Sequence, residues 1–197
     1  MISCRYPWFT LLLATAFICP ATGSSFSLSA WGRFLGKVKT QWHDDGRTMT
    51  LLDDFGYVDP GKITWKAPKG HKIDGASIPP VFWSFIGGPF EGKYRNASVV
   101  HDYECDVKQR PWRTVHRMFY NASRCGGVEA TKAKVMFAAV YHFGPRWGTE
   151  KGSRPFRTDE DFHEIRDYIE SNPDITLEQI EALDQATLRE FQRKRRR

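Results

Sequence analysis

The chain has 197 residues, of which 41% are hydrophobic and 26% charged, enough for one domain with an adequate core. We find no internal repeat and no low-complexity segment apart from a basic C-terminal end. Lys and Arg outnumber Asp and Glu by 29 to 23, but residues 193–197 alone carry five positive charges, so the rest is nearly neutral. Such an end favours an anionic surface, and a solvated tail without a partner is the alternative.

The first 23 residues are typical of an export signal. Arg5 precedes a short apolar segment, 8–19, and small residues follow at 21–23, so we predict cleavage near Gly23. The apolar segment is too short to span a bilayer comfortably, and an uncleaved N-terminal anchor is the alternative. We therefore expect a periplasmic or secreted protein, which conflicts with a nuclear or DNA-binding function.

Residues 31–73 are expected to form an antiparallel sheet of about four strands. Turn sequences occur at 44–46 (Asp-Asp-Gly) and at 59–61 (Asp-Pro-Gly), where a chain reverses easily. The segments between these and the flanking turns are the predicted strands, at 34–42, 48–52, 55–58 and 63–66. A loop rich in glycine and proline is expected at 74–92.

Helices are expected in the rest of the chain. Apolar residues recur at helical spacing in three segments, 94–107, 112–123 and 128–143. Two more helices are predicted at 158–170 and 176–192, the second beginning with a capping box.

The predicted fold class is therefore α+β: an N-terminal antiparallel sheet, a loop, a three-helix core and two C-terminal helices. The predicted organisation is a signal at 1–23, a main domain at 24–150, a helical extension at 151–192 and a basic tail at 193–197.

Two cysteines remain after the predicted cleavage, Cys105 and Cys125. Export permits a disulfide between them. They lie near the ends of successive predicted helices. If these helices are antiparallel, the cysteines are about 20 Å apart along the axis, well beyond the reach of a disulfide. A bridge is therefore the less favoured interpretation.

The candidate site is centred on His101 and Asp102, neighbours on the first long helix, whose side chains point about 100° apart. They can serve one shared point from different sides, His101 as a base and Asp102 as a metal ligand. The next helix is expected to fold back and to bring His116 and Tyr120 near His101.

The preceding loop offers oxygen ligands. Asp74 and Ser77 flank Gly75, which permits a backbone conformation that exposes carbonyl groups. Exposed carbonyls together with a carboxylate suit calcium. Ser77 is a candidate nucleophile, but it lacks the strand–turn–helix context of hydrolase serines, so we favour a hydrogen bond within the loop.

Three interpretations of these residues stay open. Calcium would be held by Asp74, the Gly75 carbonyl and Asp102, with His101 activating a water molecule. Zinc would be held by His101, His116 and a carboxylate, leaving one position for water. The polar groups would otherwise be a buried scaffold without catalytic function.

The pattern from about residue 34 to 147 resembles the phage and bacterial family called domain of unknown function 1353. The motifs that carry the resemblance are Asp-Gly-Ala-Ser-Ile-Pro at 74–79, Trp83 and His-Asp-Tyr at 101–103. The resemblance implies a compact domain of strands followed by helices, and it implies no activity.

A second resemblance is to secreted bacterial sn-2 phospholipases, which combine an Asp-Gly loop with a His-Asp pair on a helix. It implies that Asp74, Gly75 and Asp102 are calcium ligands and that His101 is the base. His116 stands where those enzymes have an aspartate, and the cysteine of their loop is absent here, so the orienting function is in doubt.

We therefore expect an exported, metal-dependent hydrolase, most concretely a calcium-assisted lipid esterase. In this hypothesis His101 deprotonates water, while His116 or Tyr120 positions His101. The alternatives are a zinc-dependent amidase or peptidase of the cell wall, and a non-catalytic binding module of the envelope or of a virion. The tail at 193–197 is expected to contact an anionic membrane or wall surface.

Overall fold

The computed structural model describes residues 30–75, 87–88, 90, 92–149 and 155–197. The predicted export signal and Ser77 lie outside these residues. The α+β class is confirmed, with strands first and helices after them. No helix in the described part of the chain is long and apolar enough to cross a membrane.

Among the described residues, six short strands form two antiparallel sheets of three strands each. The strands are β1 (Arg33–Leu35), β2 (Thr40–Trp42), β3 (Met49–Leu51), β4 (Phe55–Val58), β5 (Thr64–Ala67) and β6 (Lys72–Ile73). One sheet has the order β1-β4-β5 and the other the order β2-β3-β6. The expectation of one sheet with about four strands is therefore corrected.

The predicted strand at 34–42 is in fact β1 and β2, which belong to different sheets. Gly36 lies between them with a φ of 79°, a left-handed conformation that interrupts a strand and that glycine adopts without strain. The sequence also missed β6, which pairs with Met49 and Thr50. Two residues are too few to show the alternation that indicates a strand.

Six α-helices follow in the described residues. They are α1 (Arg95–Val107), α2 (Trp112–Cys125), α3 (Ala130–Phe143), α4 (Asp159–Ser171), α5 (Leu177–Glu181) and α6 (Gln185–Arg195). The predicted helix at 176–192 is thus two helices. Asp184 accepts a hydrogen bond from the Thr187 amide and caps α6, which makes it a helix start rather than an interior position.

One hydrophobic core contains residues of both sheets and of all six described helices. Tyr57 and Trp65 from the first sheet are buried together with Val100 of α1 and Phe119 of α2. The helices α1 and α2 pack against each other and hold the candidate site between them.

The C-terminal helices belong to the same core. Phe162 of α4 and Ile180 of α5 are fully buried, and α3 packs against both helices. His142 Nε2 donates a hydrogen bond of 2.8 Å to the carbonyl oxygen of Ile180. Arg117 of α2 also contacts Glu181 at 2.6 Å. The extension therefore packs back on the main domain.

Candidate functional site

His101 and His116 meet between α1 and α2. Nε2 of His101 lies 2.9 Å from Nδ1 of His116, and both side chains have no exposed surface. The fold-back expected from the short connection between the two helices therefore brings these histidines into direct contact. A hydrogen bond between two buried imidazoles requires that one ring donates and the other accepts.

The surrounding contacts determine which ring donates. His116 Nε2 lies 3.1 Å from the carbonyl oxygen of Pro145, and because a carbonyl only accepts, this nitrogen carries the proton. Nδ1 of a neutral His116 is then an acceptor, so Nε2 of His101 donates to it. The lone pair of His101 is left on Nδ1. Two neutral rings in a fixed tautomeric order thus form a chain that ends at Pro145.

Cys105 is the third member of this cluster. Its Sγ atom lies 3.7 Å from Nε2 and 3.9 Å from Nδ1 of His101. Ligand atoms of His101, Cys105 and His116 all lie within 4.8 Å of one another, and all three residues are buried. We call these three residues the His-Cys-His cluster. Sequence reasoning missed Cys105, although its position four residues after His101 places both side chains on one helix face.

Burial keeps both histidines of the cluster neutral. Desolvation lowers the pKa of His101 well below 6.5, and the neighbouring His116 lowers it further. Desolvation also lowers the pKa of His116, to about 3, although the hydrogen bond to Pro145 opposes this shift. Neutral imidazole is the form that binds a metal ion or accepts a proton. The cluster therefore has this form at neutral pH.

Asp102 connects α1 to the loop that contains Asp74 and Gly75. Its Oδ2 atom accepts hydrogen bonds from the backbone amides of Asp74 at 3.0 Å and Gly75 at 3.1 Å. Gly75 has a φ of 69°, the left-handed conformation expected of a glycine turn. The three residues predicted to hold calcium are thus adjacent. The contacts between them run through amide donors, whereas a calcium ion requires oxygen ligands.

Tyr120 contacts a different part of the core. Its ring lies edge-on to Trp31, with centroids 5.7 Å apart, and 6.2 Å from the ring of Phe137. Tyr120 therefore supports the packing of α2 on these aromatic residues. The contact with His101 comes from His116 instead, one helical turn earlier.

Aromatic rings surround the histidine pair. The Phe119 ring centroid lies 4.7 Å from that of His101. Trp112 and Trp147 lie against His116, at 5.5 and 6.2 Å between centroids. This apolar surrounding explains the desolvation of both imidazoles.

Glu104 is a buried carboxylate on α1, the helix that carries His101 and Cys105, and sequence reasoning missed it as well. Its Oε1 atom contacts Arg110 Nη1 at 2.6 Å. Its Oε2 atom is buried and has no hydrogen-bond partner among the described residues. Burial raises the pKa of Glu104, although Arg110 opposes the shift. Because Glu104 lies three residues after His101, both side chains share one face of α1.

Comparison with known proteins supports the family resemblance. Residues 49–140 match the family described as "Protein of unknown function (DUF1353)". The match covers β3 to β6, the Asp74–Gly75 loop and the His-Cys-His cluster. It confirms the coarser of the two resemblances, and the resemblance to phospholipases stays a prediction from short motifs.

Two curated proteins of Sinorhizobium fredii (strain NBRC 101917 / NGR234) are similar to this chain. "Uncharacterized protein y4jT" is 43% identical over 142 residues, which cover 71% of this chain and 42% of the relative. "Uncharacterized protein y4iH" is 48% identical over 104 residues, which cover 53% of this chain and 44% of the relative. The matched segment thus spans less than half the length of either relative. No solved structure matches the chain significantly.

Proposed function

We propose that this protein is a zinc-dependent hydrolase whose metal ion is held by the His-Cys-His cluster. The observation that carries the proposal is the convergence of two imidazole nitrogens and one thiol within 4.8 Å in a buried position. Nitrogen and thiolate ligands suit zinc, whereas calcium takes oxygen ligands. Cys105 replaces the carboxylate that the sequence suggested as the third ligand.

The distances in the cluster are close to those of a tetrahedral zinc site. Bonds of about 2.1 Å to nitrogen and about 2.3 Å to sulfur separate two nitrogens by about 3.4 Å and nitrogen from sulfur by about 3.6 Å. Cys105 Sγ lies 3.7 Å from His101 Nε2, which fits. His101 Nε2 and His116 Nδ1 are 2.9 Å apart, so a bound ion would require the Nε2 proton of His101 to move to Nδ1 of the same ring and the two rings to separate by about 0.5 Å.

The contact between His116 and Pro145 supports this proposal. A histidine that binds a metal through one nitrogen usually donates its other N–H to a carboxylate or a backbone carbonyl. His116 Nε2 makes such a contact with the Pro145 carbonyl at 3.1 Å. The Nδ1 lone pair is thereby directed at the cluster, in the tautomer that a metal ion requires.

Glu104 would act as the general base that accepts a proton. Three protein ligands would leave one coordination position for water, and a bound zinc ion would lower the pKa of that water to about 7. The buried Oε2 atom of Glu104, without a hydrogen-bond partner among the described residues, would accept a proton from it. Arg110, at 2.6 Å from Oε1, fixes the carboxylate in place. We propose amide or peptide bonds of the cell wall as the substrate class.

A second candidate is calcium-assisted hydrolysis of lipid esters, with His101 as the base. It is favoured by the adjacency of Asp102 to Asp74 and Gly75. In this candidate His116, at 2.9 Å from His101, takes the orienting function instead of an aspartate. The resemblance to sn-2 phospholipases is part of this proposal.

One experiment separates these candidates. Chelator-treated protein is given zinc or calcium and incubated with purified peptidoglycan fragments or with phospholipid vesicles. We expect hydrolysis of the fragments with zinc, loss of both zinc and turnover in His116→Gln, and loss of turnover with zinc retained in Glu104→Gln. His43→Gln is the control, because His43 contacts Thr50 on the second sheet, outside the cluster.

Other outcomes would replace the proposal. Hydrolysis of vesicles with calcium that is lost in His101→Ala would favour the esterase. If neither substrate is hydrolysed and His101→Ala only lowers the melting temperature, the protein is a non-catalytic binding module of the envelope or virion. Fragment hydrolysis with zinc that is unchanged in His116→Gln would contradict the metal site.

We also propose that the protein is exported and that its basic end contacts an anionic membrane or wall surface. The predicted signal at 1–23 supports export. In the structure the basic end is largely helical, because α6 extends to Arg195. Arg195 and Lys194 contact Asp167 and Glu190, at 3.4 and 2.9 Å, and both basic side chains remain more than half exposed.

A further inference from the structure

The segment at 144–147 follows α3 and contacts the candidate site. The carbonyl oxygen of Pro145 accepts the hydrogen bond from Nε2 of His116 at 3.1 Å. The Trp147 ring lies edge-on to the His116 ring, with the two centroids 6.2 Å apart and the planes at 74°. Two residues of this segment thus contact one histidine of the His-Cys-His cluster. The position of the segment therefore determines which hydrogen bonds that histidine makes.

A side-chain hydrogen bond of Trp147 fixes one end of this segment. Its Nε1 atom donates to the carbonyl oxygen of Arg110 at 2.8 Å. Arg110 lies in the connection between α1 and α2, and its own side chain is held in place. The guanidinium group contacts Glu104 at 2.6 Å, and its carbon lies 4.3 Å from the ring centroid of Trp65. Trp147 therefore ties the segment to the connection between the two helices of the site.

Gly144 fixes the other end of the segment. Its amide donates to the carbonyl oxygen of Val140 at 3.0 Å, which closes the last turn of α3. A Cβ atom at position 144 would lie 2.3 Å from the same oxygen, too close for any side chain. Only glycine therefore lets the chain leave α3 in this direction. With both ends fixed, the carbonyl group of Pro145 is held against His116.

Two neutral histidines in contact have two possible arrangements. His101 donates to Nδ1 of His116, or Nδ1 of His116 donates to His101. In the second arrangement Nε2 of His116 has no proton, so its lone pair faces the Pro145 carbonyl oxygen and the hydrogen bond between them is lost. Leaving these buried acceptors unpaired favours the first arrangement by about tenfold or more. The Pro145 carbonyl thus selects the tautomer of His116 only while it stays in this position.

We propose that Trp147 is a positioning residue for the His-Cys-His cluster. Its hydrogen bond to Arg110 holds the Pro145 carbonyl within reach of His116 Nε2. The lone pair of His116 is thereby kept on Nδ1, the nitrogen that faces His101. The benefit for zinc binding rests on the proposed function, whereas the tautomer of the metal-free protein does not.

Nuclear magnetic resonance of the chelator-treated protein with isotope-labelled histidine tests the proposal, because protonated and unprotonated ring nitrogens give distinct signals. The His116 signals are identified by their loss in His116→Gln. We expect the wild type to carry the proton on Nε2. Trp147→Phe keeps an aromatic ring but removes the donor to Arg110, so the ratio of the two tautomers should shift about fivefold towards Nδ1–H. Trp42→Phe is the matched control, because Trp42 lies on β2 and is 58% exposed, and its spectrum should equal that of the wild type.

A second variant and a second measurement complete the test. Gly144→Ala displaces Pro145 but leaves the Trp147 side chain unchanged, and it should shift the tautomers in the same direction. In competition with a chelator, Trp147→Phe should bind zinc about 10–100-fold more weakly than Trp42→Phe. A wild type that shows the expected spectrum but binds no zinc would contradict the proposed function and support the positioning of His116. The proposal is overturned if His116 of the wild type carries its proton on Nδ1, or if folded Trp147→Phe has the spectrum of the wild type.

Discussion

Nε2 of His101 lies 2.9 Å from Nδ1 of His116, and both rings are buried between α1 and α2. Cys105 Sγ lies 3.7 Å from His101 Nε2. The two histidines and Cys105 together provide the ligand types and nearly the spacing of a zinc site. The pair is also held in one tautomer by Pro145.

Asp102 is expected to stabilise the fold by anchoring the loop at Asp74 and Gly75. Asp102→Ala removes the acceptor of two backbone amides at 3.0 and 3.1 Å and should lower the free energy of unfolding by about 2–4 kcal/mol. Urea unfolding measures the loss, and hydrogen exchange should show faster exchange of both amides. Asp106→Ala is the control, because Asp106 is exposed. Equal stability of the two variants would contradict the anchoring function.

His142 should make the stability depend on pH. Desolvation lowers its pKa from 6.5 to about 4 in the folded protein. Between these values the unfolded chain binds the proton and the folded protein does not, so stability is complete above about pH 6.5 and falls as the pH decreases towards 4.

The expected slope from this one group is about 1.4 kcal/mol per pH unit within that window. His142→Gln, which keeps a donor for the Ile180 carbonyl, should reduce the slope of the urea-derived stability curve between pH 6.5 and 5 by this amount, while the contributions of His101 and His116 remain. His163→Gln is the control, since His163 is exposed on α4. A curve for His142→Gln as steep as that of the wild type would refute the assignment.

The C-terminal helices should unfold together with the rest of the protein. Ile180 of α5 is fully buried in the single core, so Ile180→Ala should cost about 2–5 kcal/mol. Because the core is continuous, calorimetry should show one transition at a lower temperature. Two separate transitions, with only one displaced, would indicate that residues 151–192 form an independent unit.

Much of the fold follows from the sequence because its signals are local. The sequence indicated strands followed by helices. The signals were the turn residues at 44–46 and 59–61 and the helical spacing of apolar residues after them. The strand predictions that failed depended on the backbone conformation of single residues. Gly36 divides one predicted strand between two sheets, and a glycine alone does not indicate which way the chain turns. The two-residue strand β6 is defined only by its partner β3.

The candidate site was partly predictable for the same reason. The contact between His101 and His116 follows from two helices joined by a short connection. Cys105 and Cys125 form no disulfide among the described residues. The spacing of Cys105 from His101 indicated a shared helix face. This face points into the core because α2 packs against it. Sequence periodicity alone does not show which helix packs on which face.

The basic end is expected to bind anionic membranes. Each exposed Lys or Arg contributes about 1 kcal/mol near such a surface, and the five basic residues at 193–197 lie together. Replacing all five with Gln should abolish sedimentation with phosphatidylglycerol vesicles at low salt. Cosedimentation of this variant equal to that of the wild type would show that the tail is a solvated end without this partner.

We propose that His101, Cys105 and His116 hold zinc. The most direct measurement is the zinc content of the protein after dialysis against excess zinc and removal of unbound metal. We predict one zinc per chain in the wild type and in Cys125→Ala, and less than a tenth of that in Cys105→Ala. Circular dichroism of each variant verifies that it is folded. A folded wild-type protein without zinc, or a Cys105→Ala variant that retains it, would contradict the metal site.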